Sequence, residues 1–100
     1  MNMQQMVQNM QKMQRQYEKA HKVLEETEFT YTQNGVVKIT VKGDMSLVGI
    51  EFVDASALEA DNKEMLEEMI SIAYENVRQQ VLDAEDALAD KFKVGGAFGL

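Results

Sequence analysis

The chain has 100 residues, 45% hydrophobic and 27% charged, the composition of one folded domain rather than of a disordered chain. Without cysteine it can form neither a disulfide nor a thiolate zinc site, and no run approaches the roughly 20 apolar residues needed to cross a bilayer. Seventeen acids against ten Lys and Arg leave a net charge of −7, which by itself argues against a simple nucleic-acid binder.

The opening residues Met1 to Gln5 have neither the charged start nor the apolar run of a signal peptide, so a small, soluble, cytoplasmic protein is expected. A chain this short buries only about 60–65% of its unfolded surface. With disulfides and metals out of reach, association with a second copy is the expected remedy.

The first block runs from Met3 to about Glu26. Its apolar positions, Met3, Met6, Met10, Met13, Tyr17, Ala20 and Leu24, alternate steps of three and four, which predicts a helix with a narrow, Met-rich seam. Methionine packs adaptably but specifies geometry weakly. Lys12, Arg15, Lys19 and Lys22 recur at steps of three, four and three, a basic stripe turned away from that seam. His21, the only histidine, flanks the seam and reads as an ordinary helix-flank residue.

From Glu28 to Val53 the period changes to two. Phe29 and Tyr31 alternate with Thr30 and Thr32, and Asn34-Gly35 is a strong hairpin signal. Val37, Ile39 and Val41 alternate with Lys38, Thr40 and Lys42. A second turn is expected at Gly43-Asp44, after which Val48, Ile50 and Phe52 continue the apolar face. These are three antiparallel strands, the longest of about nine residues, with one apolar face and one wet face (Thr30, Thr32, Lys38, Thr40, Lys42, Glu51). The apolar face needs helices to cover it.

A short helical turn is expected around residues 56–60, and a second long helix from about Asn62 to Phe92, capped by Asp61 or Asn62. Its apolar positions, Met65, Leu66, Met69, Ile70, Ala73, Val77, Val81, Ala84 and Leu88, keep helical spacing. Helices of about 36 and 45 Å must overhang a sheet spanning about 30 Å, which leaves apolar seams for a second chain. Residues 1–94 are expected to form one domain, followed by a flexible Gly-rich tail, residues 95–100.

Little points to catalysis. The serines Ser46, Ser56 and Ser71 lie in no nucleophile-elbow context, no phosphate-binding glycine loop is present, and no Cys accompanies His21. The acids Glu64, Glu67, Glu68, Glu75, Asp83, Glu85, Asp86 and Asp90 on the last helix read as a solvated face, with a basic partner or an imitation of a nucleic-acid backbone as sharper alternatives. No catalytic residue, cofactor, metal, membrane or small-molecule substrate is expected. The basic stripe has three readings from pattern alone: it is solvated, it pairs with those acids, or it grips phosphates.

The whole arrangement resembles the YbaB/EbfC family of bacterial nucleoid-associated proteins. The likeness lies in the Met/Gln-rich run from Met6 to Gln14, in Gly35 to Gly43, in Val48-Gly49-Ile50-Glu51-Phe52 and in the run Lys63 to Ile70. It implies an α+β protomer of long helix, three-stranded antiparallel meander and long helix, two layers thick, joined into a tweezer-like homodimer. It further implies non-catalytic binding of double-stranded DNA in the nucleoid, with roles in nucleoid organisation, gene regulation or DNA repair. The matching DNA-contact positions are Lys12, Arg15, Lys19 and Lys22, with Arg78 a weaker one, and little base readout is expected of them. The dimer interface is expected along Met3, Met6, Met10, Met13 and Tyr17. Two departures stand out: the last helix is strongly acidic, and the ending Gly95 to Leu100 differs from the family's Pro- and Met-containing one. A rival from another class is an acidic adaptor whose Met seam and acidic helix engage a protein partner, with weak or no DNA binding.

Overall fold

The computed structural model describes residues 2–92. In chain order it contains helix α1 (Met3–Glu26), strands β1 (Glu28–Gln33), β2 (Val37–Lys42) and β3 (Leu47–Phe52), two 3-10 turns (Ala55–Ala57 and Ala60–Asn62) and helix α2 (Lys63–Phe92). This is the expected α+β order of helix, meander and helix. The expected tail, residues 95–100, lies outside the described residues.

Asn2 starts α1: its Oδ1 accepts the Gln5 backbone N–H at 2.8 Å, satisfying one of the helix's free donors. Thr27 ends it, extended at φ −73° and ψ 136°, with its Oγ1–H donating to Val23 O at 2.7 Å. The chain then enters an antiparallel sheet in the order β1-β2-β3. Asn34 and Gly35 both take positive φ (50° and 68°), and the Val36 N–H closes the turn on Gln33 O at 2.9 Å. Positive φ at both central residues marks the primed turn whose twist matches paired strands.

The core is small. Val37, Ile39 and Val41 on one face of β2 meet Ala73, Val77 and Val81 of α2, and these six are the buried hydrophobic residues among those described. Phe29 and Tyr31 of β1 and Leu66, Met69 and Ile70 of α2 pack around them. On the opposite sheet face, the Thr30 and Thr40 hydroxyls meet across the strands at 3.0 Å.

Three details depart from the sequence expectation. The strands are six residues each, shorter than nine. The ladder slips between Thr40 and Val41: Thr40 faces Gly49, but Val41 faces Leu47. That bulge leaves Val48 without a partner and sets Leu47 on the apolar face beside Ile50, where simple alternation put Val48. The 3-10 turn at Ala60–Asn62 runs straight into α2, and Asn62 spends its side chain on a bond from Nδ2–H to Ala57 O at 3.0 Å, short of the capping role expected of it.

Gly43 also has a different purpose. The left-handed residue of the second turn is Met45, at φ 71°, whereas the space at Gly43 is taken by the end of α1. A Cβ on Gly43 would collide with the Leu24 carbonyl, and it would lie 3.2 Å from Glu25 Cα. The Gly43 N–H also donates to Thr27 O at 3.0 Å, so the turn is the point where α1 is fastened to the sheet. Gly43→Ala is therefore expected to cost about 1–3 kcal/mol in chemical denaturation, since backbone must move to admit the methyl group. Wild-type stability in that variant would contradict the close approach.

Candidate nucleic-acid interface

The long axis of the molecule is 70 Å against 20 and 16 Å across, and its radius of gyration is 19.5 Å. A compact chain of this length would have about 13 Å. The excess comes from the two long helices, which run on beyond the sheet. The C-terminal half of α1 is held: Leu24 lies against Gly43, and the Tyr17 ring meets Phe92 edge-on at 5.8 Å and 76°. The two helices therefore run antiparallel where they touch, and every residue from Asn2 to Lys12 is exposed beyond that contact.

Lys12, Arg15, Lys19 and Lys22 are all exposed on the face of α1 opposite the Met seam. Among the described residues none of the four forms an ion pair, although α2 carries eight acids. Of the three sequence readings, pairing with those acids inside the protomer is thereby removed. The acids belong to other surfaces. Glu64, Glu68, Glu75, Asp83, Asp86 and Asp90 share the face of α2 turned away from Ala73, Val77 and Val81, and Asp83 accepts from Gln79 Nε2–H at 2.9 Å.

Arg78 is placed differently. It sits on α2 with its Nη1 3.7 Å from Glu75 Oε2, so a neighbouring carboxylate already partly answers its charge. The structure does not bring it together with the α1 stripe on one element. His21 bonds Glu25 through Nδ1 at 2.9 Å and lies 5.7 Å from the Tyr17 ring, a helix-flank arrangement. Among the described residues no polar or charged side chain is buried, and no three His, Asp or Glu gather to hold a metal ion. No helix among them is long and apolar enough to cross a membrane. The two displaced carboxylates, Asp44 and Asp54, are exposed turn residues held below the usual range by hydrogen bonds from Ser46 and Ser56.

The residues expected to join two chains divide. Met3, Met6 and Met10 stand free on the projecting part of α1, Met3 at 80% exposure. Met13 is half-buried, and Tyr17 is engaged with Phe92 of its own chain. A second apolar surface was missed in the sequence. Helix α2 covers β1 and β2 but leaves β3 bare, so Leu47 and Ile50 remain 59% and 45% exposed. Between β3 and α2 runs a groove of about 290 Å³ lined by Ile39, Val41, Met45, Leu47, Ile50, Ile70, Ser71 and Tyr74. The signal was present in Tyr74, an apolar residue that falls outside the seam spacing of α2.

The profile of the YbaB/EbfC DNA-binding family matches residues 1–96. The chain belongs to this family. A nucleoid-associated protein of Streptococcus suis is 43% identical over 70 residues, covering 69% of this chain and 70% of its own. Another, from Malacoplasma penetrans, is 28% identical over 88 residues, covering 88% and 93%. The crystal structure of an uncharacterized Helicobacter pylori protein superposes with a TM-score of 0.71 at 21% identity, over 91% of this chain and 96% of that one, and so shares the fold. The YbaB/EbfC helix–meander–helix plan thus fits both the order and the spacing of elements found here.

The position of the stripe rests on the Tyr17–Phe92 contact, an aromatic pair of the kind that contributes about 0.5–1.5 kcal/mol beyond its buried area. Tyr17→Ala is expected to speed amide exchange along residues 15–24 while β2 stays protected. Unchanged exchange in α1 would show that other contacts hold the helix.

Proposed function

We propose that the protein binds double-stranded DNA without catalysis, as a homodimer on the nucleoid, with Lys12, Arg15, Lys19 and Lys22 against the phosphates. The observation that carries this is the exposed basic face of α1, free of ion pairs despite a net charge of −7. Four unpaired cations spread over three turns of one helix suit a line of backbone phosphates and carry little information about base identity. Arg78 is a secondary contact at most, because Glu75 competes for it. The acids of α2 repel DNA and so orient the duplex toward α1. Membership in a DNA-binding family and the names of the streptococcal and mycoplasmal relatives support the same partner. The reading extends to roles in nucleoid organisation, gene regulation or DNA repair, which the family resemblance implies.

Two copies associate because six buried hydrophobic residues, among those described, make a thin core and apolar surface is left over. The bare β3–α2 surface is one of two apolar areas, and the ridge of Met3, Met6, Met10 and Met13 is the other. Tyr17 contributes least, being already occupied by Phe92.

Changing Lys12, Arg15, Lys19 and Lys22 together to Gln is expected to abolish binding of a random-sequence duplex while the oligomeric mass stays unchanged. Unchanged affinity would overturn the phosphate role. If the wild-type chain instead recovers a stoichiometric, nuclease-insensitive protein partner and binds no DNA, the adaptor is the correct function.

Ile50→Lys, in the middle of β3, is expected to convert the dimer to a monomer in sedimentation analysis, and Met6→Lys with Met10→Lys to weaken it less. The reverse order of effects would move the interface onto α1, and a monomeric wild-type protein would refute association altogether.

A further inference from the structure

The two edges of the sheet are treated differently. Helix α2 packs along β1, and the Gln80 Nε2–H donates to the outward carbonyl of Thr30 at 3.1 Å. Strand β3 receives no such cover. The Val53 N–H donates to Val36 O at 2.7 Å, directly across the ladder, so Glu51 and Gly49, at steps of two, also turn their backbone toward β2. Ile50 and Phe52 therefore aim their N–H and C=O groups off the sheet. Among the described residues neither makes a backbone hydrogen bond outside the ladder, and both side chains are exposed. Open backbone donors and acceptors beside exposed apolar side chains are a template for another strand.

We propose that this edge pairs antiparallel with β3 of a second copy, about a two-fold axis at Glu51, to make one continuous sheet. This rests on the homodimer proposed above and supplies its geometry. The strand is self-complementary about that axis. Ile50 lies opposite the partner's Phe52, and Phe52 opposite the partner's Ile50, so the open backbone groups of both residues close into hydrogen bonds on both copies. On the apolar face each isoleucine then meets an aromatic ring, a favourable cross-strand pair. On the wet face Lys38 stands opposite Glu51 in the register, and neither forms an ion pair among the described residues. The axis therefore creates the row Lys38, Glu51, the partner's Glu51 and the partner's Lys38, whose charges sum to zero. With the axis at Ile50 instead, Phe52 would fall against Val48, where the bulge interrupts the strand.

The chain has no cysteine, so single introduced thiols report the contact without background. Facing residues that do not bond to each other in an antiparallel pair have Cα atoms about 4.5 Å apart, within disulfide reach. Glu51→Cys is therefore expected to give a disulfide-linked dimer, nearly completely, under oxidised glutathione at concentrations where the wild-type chain sediments as a dimer. Lys38→Cys, on the same face but one strand further in, is expected not to link. Two copies packed through their apolar faces would leave Glu51 on the outside and give no link there. Glu51→Lys should raise the dimer dissociation constant about threefold to tenfold, because lysines then fill the whole row. A dimer that does not link through Glu51→Cys, links equally through Lys38→Cys, or tolerates Glu51→Lys unchanged would overturn edge pairing and leave association standing. A monomeric wild-type chain would overturn both.

Discussion

Three turns of one helix hold this molecule together. Ala73, Val77 and Val81 recur at intervals of four on α2, and they press on Val37, Ile39 and Val41, which recur at intervals of two on β2. The two periodicities match because a helix presents one face every four residues and a strand every two. Burial of such side chains contributes about 1.5–3 kcal/mol for each valine or isoleucine, which is modest for a chain of 100 residues. Every other element is placed relative to this contact. Strand β1 is held by β2 and by α2, β3 chiefly by β2, and α1 by its C-terminal half against Gly43 and Phe92.

That economy of contact explains the shape. The cations of α1 lie on the face opposite its Met seam and, among the described residues, pair with none of the acids of α2. A net charge of −7 would predict repulsion from DNA if it were spread evenly, but interaction at molecular range depends on local charge within about a Debye length, roughly 8–10 Å. Along α1 the local surface is uncharged near the N-terminus and basic in the middle. The acidic face belongs to a different helix.

Much of this was legible in the sequence because it follows from period alone. The seam of α1, the alternation of β2 and the spacing of Ala73, Val77 and Val81 each state an element and its buried side. The stripe of Lys12, Arg15, Lys19 and Lys22 was equally plain, since residues three and four apart share a face. What period cannot show is contact between distant segments. Gly43 looked like a turn glycine, and only the arrival of Leu24 beside it shows why no side chain fits. Alternation put Val48 on the apolar face, but the bulge near Thr40 exchanges it for Leu47. The bare face of β3 was hidden for a similar reason: its strand pattern is ordinary, and its exposure depends on where α2 happens to lie. The freedom of the four cations could not be read either, because pairing with α2 depends on the direction in which two helices cross.

The central claim is that unpaired cations on α1 hold DNA through its phosphates, and the dependence of affinity on salt tests it most directly. Fluorescence anisotropy of a labelled random-sequence duplex, titrated at about 50 and about 200 mM salt, gives the number of phosphates neutralised. Four contacts from one protomer predict a fall of about 10²-fold across that range, and eight from two protomers about 10⁴-fold. Affinity that is indifferent to salt, or no binding at the lower concentration, would contradict the account.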